Sequence, residues 1–103
     1  MKYIAMNQFS ILDDRHEEFE QVWKSRERHL KEMKGFLNFQ LLKGDAKEGQ
    51  RVYISHSTWS SKNDFLAWTE SEQFQKAHQN ARTPQGIIQG PPRFSGYEVI
   101  LEE

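Results

Sequence analysis

Asn7, Arg26, Trp68 and His78 are the residues of this 103-residue chain whose types and placement could do chemistry. Phe74, Ala77, His78 and Ala81 recur at helical spacing and share one face. A neutral imidazole pointing inward among apolar companions is either a core group hydrogen-bonded at both nitrogens or a ligand for a metal such as heme iron. Asn7 shares the face of an alternating run with Tyr3, Ala5 and Phe9. Asn is disfavoured in strands, and a buried amide must find partners, in the neighbouring backbone if nowhere else. Arg26 falls within an apolar stripe beside Trp23 and Leu30. A charge there must snorkel or be paired, with an acidic residue, a dimer contact or a ligand carboxylate. Trp68 comes three residues after Phe65; a core anchor is the simple reading, as for Trp23 and Trp59. His16, His29 and His56 show no spacing suited to a shared metal, and His56 between two serines reads as structural.

The elements that must position these residues follow from periodicity. Residues 3–11 read as a strand. Asp13 or Asp14 can cap a helix, with Glu17 three residues after Asp14. That helix carries Phe19, Val22, Trp23, Leu30 and Met33 at helical spacing and ends at Gly35. Residues 36–42 and 52–59 read as strands around a polar turn at 44–50, hence a hairpin. Ser61 is placed to cap a helix over 62–68. Thr69 and Glu72 repeat the capping-box spacing, which predicts a break near 69–71 and a second helical segment to about 81. Residues 80–93 hold all three prolines and read as a long loop, and 94–101 as the last strand. The order β-α-β-β-α-β is the ferredoxin-like α+β arrangement with an antiparallel sheet, in one domain over residues 1–103.

Two helices cover only one face of such a sheet. Leu37, Phe39 and Leu41 oppose Phe36 and Leu42, so both faces look apolar. An uncovered apolar face predicts a homodimer packed sheet to sheet.

Composition narrows the chemistry. Fourteen basic and fifteen acidic residues give a net charge of -1, which leaves no field for nucleic acid or an anionic membrane. Hydrophobic residues make up 36 %, aromatics 13 %, and the mean hydropathy is -0.88, so a few large rings do much of the packing. No cysteine is present, which excludes disulfides, thiolate metal sites, iron–sulfur clusters and cysteine nucleophiles. The N-terminal residues lack the apolar core of a signal peptide and no run reaches membrane-spanning length, so a cytoplasmic protein is expected.

The segments Ala5-Met6-Asn7, Gly35-Phe36-Leu37, Phe39-Gln40-Leu41-Leu42, Thr58-Trp59 and Phe65 through His78 carry a resemblance. From residue 3 to about 101 the chain resembles the antibiotic-biosynthesis-monooxygenase superfamily of dimeric α+β barrels. Within it the chain is most similar to the IsdG-type, HmuQ-like heme-degrading monooxygenases. The Gly-Phe and Ala-Trp…Ala-His stretches belong partly to the wider superfamily; an Asn in the first strand and a Trp ten residues before a His are the specific part. Asn7, Trp68 and His78 match all three.

The resemblance implies that heme is both substrate and cofactor, with O₂ and an external electron donor as co-reactants. It implies His78 as the axial iron ligand, Asn7 as an amide donor on the opposite side, and Trp68 as the residue that pushes the macrocycle out of plane. Trp23, Arg26, Phe65 and Phe74 are the expected heme contacts. Val22 departs from members with Arg there, which affects the propionate contacts. The loop over 82–93 is expected to close over the site, with Ile87 and Ile88 against the heme. Products are an open-chain tetrapyrrole and iron, consistent with a role in iron acquisition. The chain has no dinucleotide fingerprint, so a separate reductase is implied. Three rivals share the features: a cofactor-independent monooxygenase acting on quinols or polyketides, a non-catalytic heme-binding protein, and a superfamily member with another ligand in which Asn7, Trp68 and His78 are structural.

Overall fold

The computed structural model describes residues 1–26, 28–79 and 86–103. Strands β1 (Tyr3–Leu12), β2 (Phe36–Lys47), β3 (Gln50–Trp59) and β4 (Arg93–Glu98) form one antiparallel sheet in the order β2-β3-β1-β4. Helix α1 (His16–Ser25) follows β1; α2 (Lys62–Thr69) and α3 (Glu72–Gln79) follow β3. The architecture is the expected ferredoxin-like α+β order, with its second helical region split where the sequence placed the break.

Alternation along β1 turns Tyr3, Ala5, Asn7, Phe9 and Ile11 toward the helices. Opposite them on β3 stand Trp59, Ser57, Ser55, Tyr53 and Arg51. Two buried clusters form under the helices. One gathers Tyr3, Ala5, Leu30, Trp59, Trp68 and Ala77; the other gathers Ile11, Phe19, Tyr53 and Ile87. Asn7 sits between Ala5 of the first and Phe9 beside the second, where the apolar core parts.

Several boundaries differ from expectation, each for a local reason. The first helix stops at Ser25 rather than running to Met33. The Ser25 hydroxyl bonds back to the Gln21 and Val22 carbonyls, and Arg26 turns to an extended backbone. Leu30 reaches the core from a short 3₁₀ turn, Leu30–Glu32, entered through His29 at φ 56°. Arg26 therefore lies just past a helix end, not in a helical stripe, and Gly35 (φ 84°) turns the chain into β2 instead of capping α1. Neither Asp13 nor Asp14 caps α1; Asp13 binds the Arg51 guanidinium at 3.0 Å. The hairpin is longer than predicted, closing on Glu48 and Gly49, both with positive φ. Strand β4 ends at Glu98, short of 101.

Ser61 caps α2 as expected, accepting from the Asp64 N–H. Ser71, not Thr69, caps α3: its Oγ accepts from the Phe74 N–H at 3.1 Å, while the Thr69 hydroxyl donates to Leu66. A register shift between Phe36 and Asn38 bulges β2 at Leu37. Phe36, Phe39 and Leu41 consequently share the helix side, opposite Trp59, Ser57 and Ser55, so Phe36 does not face away. The open face is mixed, with Ile4, Met6, Ile54, Leu42 and Tyr97 among Gln8, Gln40, His56 and Thr58.

Candidate active site

A cleft of about 250 Å³ opens between the sheet and the second helical region. Asn7, Trp23, Arg26, Phe65, Trp68, Phe74 and His78 line this one cleft. Ala5, Phe39, Ser55, Ser57 and Phe94 complete its sheet wall, and Arg28 and Leu30 its side.

Trp68 is buried at 7 % exposure, stacked on Trp59 (6.1 Å between centroids) and edge-on to Phe74 (5.3 Å). It is core anchor and cleft wall at once, a ring held from two sides. Phe65 stacks on Phe94 at 5.7 Å, joining α2 to β4 across the cleft. Trp23 stacks on Phe39 at 5.8 Å, closing the far side.

His78 is exposed on the cleft rim, not turned into the core; Ala77 is the buried residue of α3. Its ring packs 4.1 Å from the Phe74 ring. Nδ1 lies 2.8 Å from the Phe74 carbonyl, which can only accept, so Nδ1 carries the proton of the neutral form and Nε2 keeps its lone pair. Burial of the ring pushes its pKa below the ordinary imidazole value; the Phe74 carbonyl opposes this and the nearby Arg26 charge adds to it. The outcome is a neutral imidazole whose Nε2 has no hydrogen-bond partner among the described residues.

Two cations flank Trp23. The Arg26 guanidinium lies 4.5 Å over the Trp23 ring, and its Nε donates to the Ala77 carbonyl at 3.3 Å. Arg28 lies 5.3 Å over the Phe39 ring and donates to the Trp23 carbonyl at 2.8 Å. Neither meets a carboxylate among the described residues. Burial, reinforced by the like charge of Arg28, lowers the Arg26 pKa. Sequence reasoning missed Arg28, because its approach to the cleft depends on the chain break after Ser25. Alternation with Asn7 could have flagged the other missed pair, Ser55 and Ser57.

Ile87 does not reach the cleft. It is fully buried against Ile11, Phe19 and Tyr53, with Ile88 packed beside it and bridged to Ile11. The described part of the loop thus packs on the other core cluster, and residues 82–85 lie outside the described residues. Among the described residues no group of three His, Asp or Glu side chains could hold a bare metal ion.

An antiparallel α+β sheet with an aromatic cleft under its helices defines the class, and the sequence gives the family. Residues 2–80 match the family described as antibiotic biosynthesis monooxygenase, and the chain belongs to it. A heme-degrading monooxygenase from Shouchella clausii is 43 % identical over 70 residues, 65 % of this chain and 64 % of that one. The chain therefore matches just under two thirds of that curated relative's length. Two solved structures share the fold. A Bacillus cereus protein of the antibiotic biosynthesis monooxygenase kind superposes with a TM-score of 0.81 at 16 % identity, covering 100 % of this chain and 95 % of the other. The heme-degrader MhuD from Mycobacterium tuberculosis, with two hemes bound in its active site, superposes with a TM-score of 0.73 at 23 % identity, covering 98 % of each chain.

Proposed function

We propose that this chain is a heme-degrading monooxygenase that binds heme in the cleft with His78 as its axial ligand. The observation that carries the proposal is the neutral His78 imidazole, with Nδ1 committed to Phe74 and Nε2 unengaged, on the rim of a cleft whose sheet wall holds an amide with no partner among the described residues. The rest of the lining suits the same ligand: flat aromatic walls for a macrocycle and, for its carboxylates, two guanidiniums that meet no carboxylate among the described residues.

Heme, when bound, supplies the redox iron at which O₂ is activated, and its own ring is what is oxidised. The protein's work is orientation and electrostatics. His78 fixes one side of the ligand through Nε2, its tautomer set by the Phe74 carbonyl. Asn7 offers an amide donor on the sheet side, where it stabilises developing negative charge. Trp68, braced by Trp59 and Phe74, is a stiff wall against which the macrocycle would pack. Arg26 and Arg28 hold the carboxylate edge at the mouth. Ligand pockets enclose roughly 300–1,000 Å³, so at about 250 Å³ the cleft must widen or leave part of the ring outside. Electrons come from a separate reductase.

The active form is a homodimer, with a second copy covering the open face of the sheet. Supporting this, Leu42, Val52 and Tyr97 are exposed on that face, and the buried His56 Nδ1 lacks a partner among the described residues.

Titration of the protein with hemin, followed in the Soret region, tests the ligand assignment. Saturable binding is expected for the wild type, with loss of the ligated Soret spectrum in His78→Ala. An unchanged spectrum in that variant contradicts the assignment. Absence of saturable binding in the wild type favours a cofactor-independent oxygenase.

A further inference from the structure

Ser55 stands directly opposite Asn7 in the β1–β3 register, and both line the cleft. Among the described residues it is the one buried residue that is neither aliphatic nor aromatic, at 8 % exposure. The row across the sheet reads Leu41, Ser55, Asn7, Phe94, so the pair is bracketed by apolar side chains. Neither the Ser55 hydroxyl nor the Asn7 amide has a hydrogen-bond partner among the described residues. The Ser55 Oγ keeps contact with the cleft rather than being sealed in the core, so its hydroxyl is open to a use there.

The chemistry of an amide supplies one. Asn7 has a donor end and an acceptor end of nearly the same shape, and only the donor end favours negative charge in the cleft. Directly opposed side chains on antiparallel strands have Cβ atoms about 4.5–5.5 Å apart, within reach of a rotamer change in either residue. Ser57 is set apart by register: it stands opposite Ala5, not Asn7, and its Oγ accepts from the Trp59 indole N–H at 3.0 Å. We propose that Ser55 is a positioning residue for Asn7: with the cleft filled, its O–H donates to Asn7 Oδ1 and turns the amide N–H groups toward the ligand. This inference rests on the heme-degradation reading and adds a residue to it.

The test uses the full chain loaded with hemin, comparing wild type, Ser55→Ala, Ser55→Thr and Asn7→Ala. Three quantities are read: the hemin dissociation constant, the C–O stretching frequency of the reduced carbon monoxide complex, and the rate of heme loss with reductant in air. Ser55→Ala is expected to keep the dissociation constant within about twofold, to raise the C–O stretch toward that of Asn7→Ala, and to slow heme loss roughly 3- to 10-fold, the worth of one hydrogen bond. Ser55→Thr, which retains the hydroxyl, is expected to restore both. A Ser55→Ala protein with wild-type stretch and rate, while Asn7→Ala differs in both, overturns the role of Ser55 alone. No saturable hemin binding in the wild type overturns the heme reading itself, and this inference with it.

Discussion

The state of the His78 ring is set by its surroundings. The Phe74 carbonyl selects the tautomer, while burial and the Arg26 charge keep the ring neutral. A lowered pKa means that acid displaces the ligand-competent form only below the ordinary imidazole value of 6.5. Hemin affinity should therefore hold as pH falls through that value and weaken below it. In Arg26→Ala the fall should come at higher pH; Soret titrations across a pH series check both, and an identical profile in the variant contradicts the coupling. Asn7→Ala should bind hemin yet lose turnover by about 10²–10³-fold, the usual worth of an electrostatic donor, as measured by heme loss under reductant. Trp68→Phe should retain more activity than Trp68→Ala. Because Trp68 is also core, the alanine variant should lose about 3–5 kcal/mol in denaturant unfolding. Strand alternation and helical spacing place Asn7 and His78 on a face, but the resemblance to the family is what groups them with Trp68 as a set. Arg28 was not legible, since no periodicity describes a residue beyond a helix end. The turn of His78 to the rim while Ala77 takes the core was also hidden, because the two are neighbours on one helical arc.

Between elements, the joint of α1 to β3 is the most specific. The Tyr53 hydroxyl donates to the Glu20 carboxylate at 2.5 Å, and Lys43 reaches the same oxygen at 2.9 Å. The bond from Tyr53, then that from Lys43, lowers the Glu20 pKa. A carboxyl with a depressed folded-state pKa stabilises the fold above its unfolded pKa, and that stability is lost as pH falls through the folded value. Tyr53→Phe should thus cost about 1 kcal/mol at neutral pH and make unfolding less sensitive to acid, measured by urea unfolding at both pH values. At the other side of the sheet, a Cβ on Gly96 would overlap the Tyr3 hydroxyl, so Gly96→Ala should cost about 1–3 kcal/mol through overpacking. The order of elements was readable because each apolar period changes cleanly from two to 3.6 and back. Their ends were less so. Thr69 and Ser71 offer equal capping chemistry two residues apart, and only the path of the chain decides between them. The bulge at Leu37 likewise leaves no mark in Phe36-Leu37-Asn38-Phe39, yet it moves Phe36 to the other face.

For the whole molecule, the open face of the sheet sets the question of assembly. Val52 and Tyr97 stand exposed on it at 36 % and 55 %, so charging either should spare the chain's own core. Analytical ultracentrifugation should give twice the 12.2 kDa chain mass for the wild type and a shift toward the single mass for Tyr97→Lys. A wild-type monomer contradicts the dimer. The cleft lies on the covered side of that sheet, and the task proposed for it is to hold and open heme. The measurement that tests this most directly is mass spectrometry of the tetrapyrrole, with a colorimetric assay of free iron, after incubation with hemin, reductant, catalase and air. The account predicts an oxygenated open-chain tetrapyrrole and about one iron released per heme consumed. Intact heme recovered from a saturated complex, with no iron released, would contradict it and leave a heme carrier.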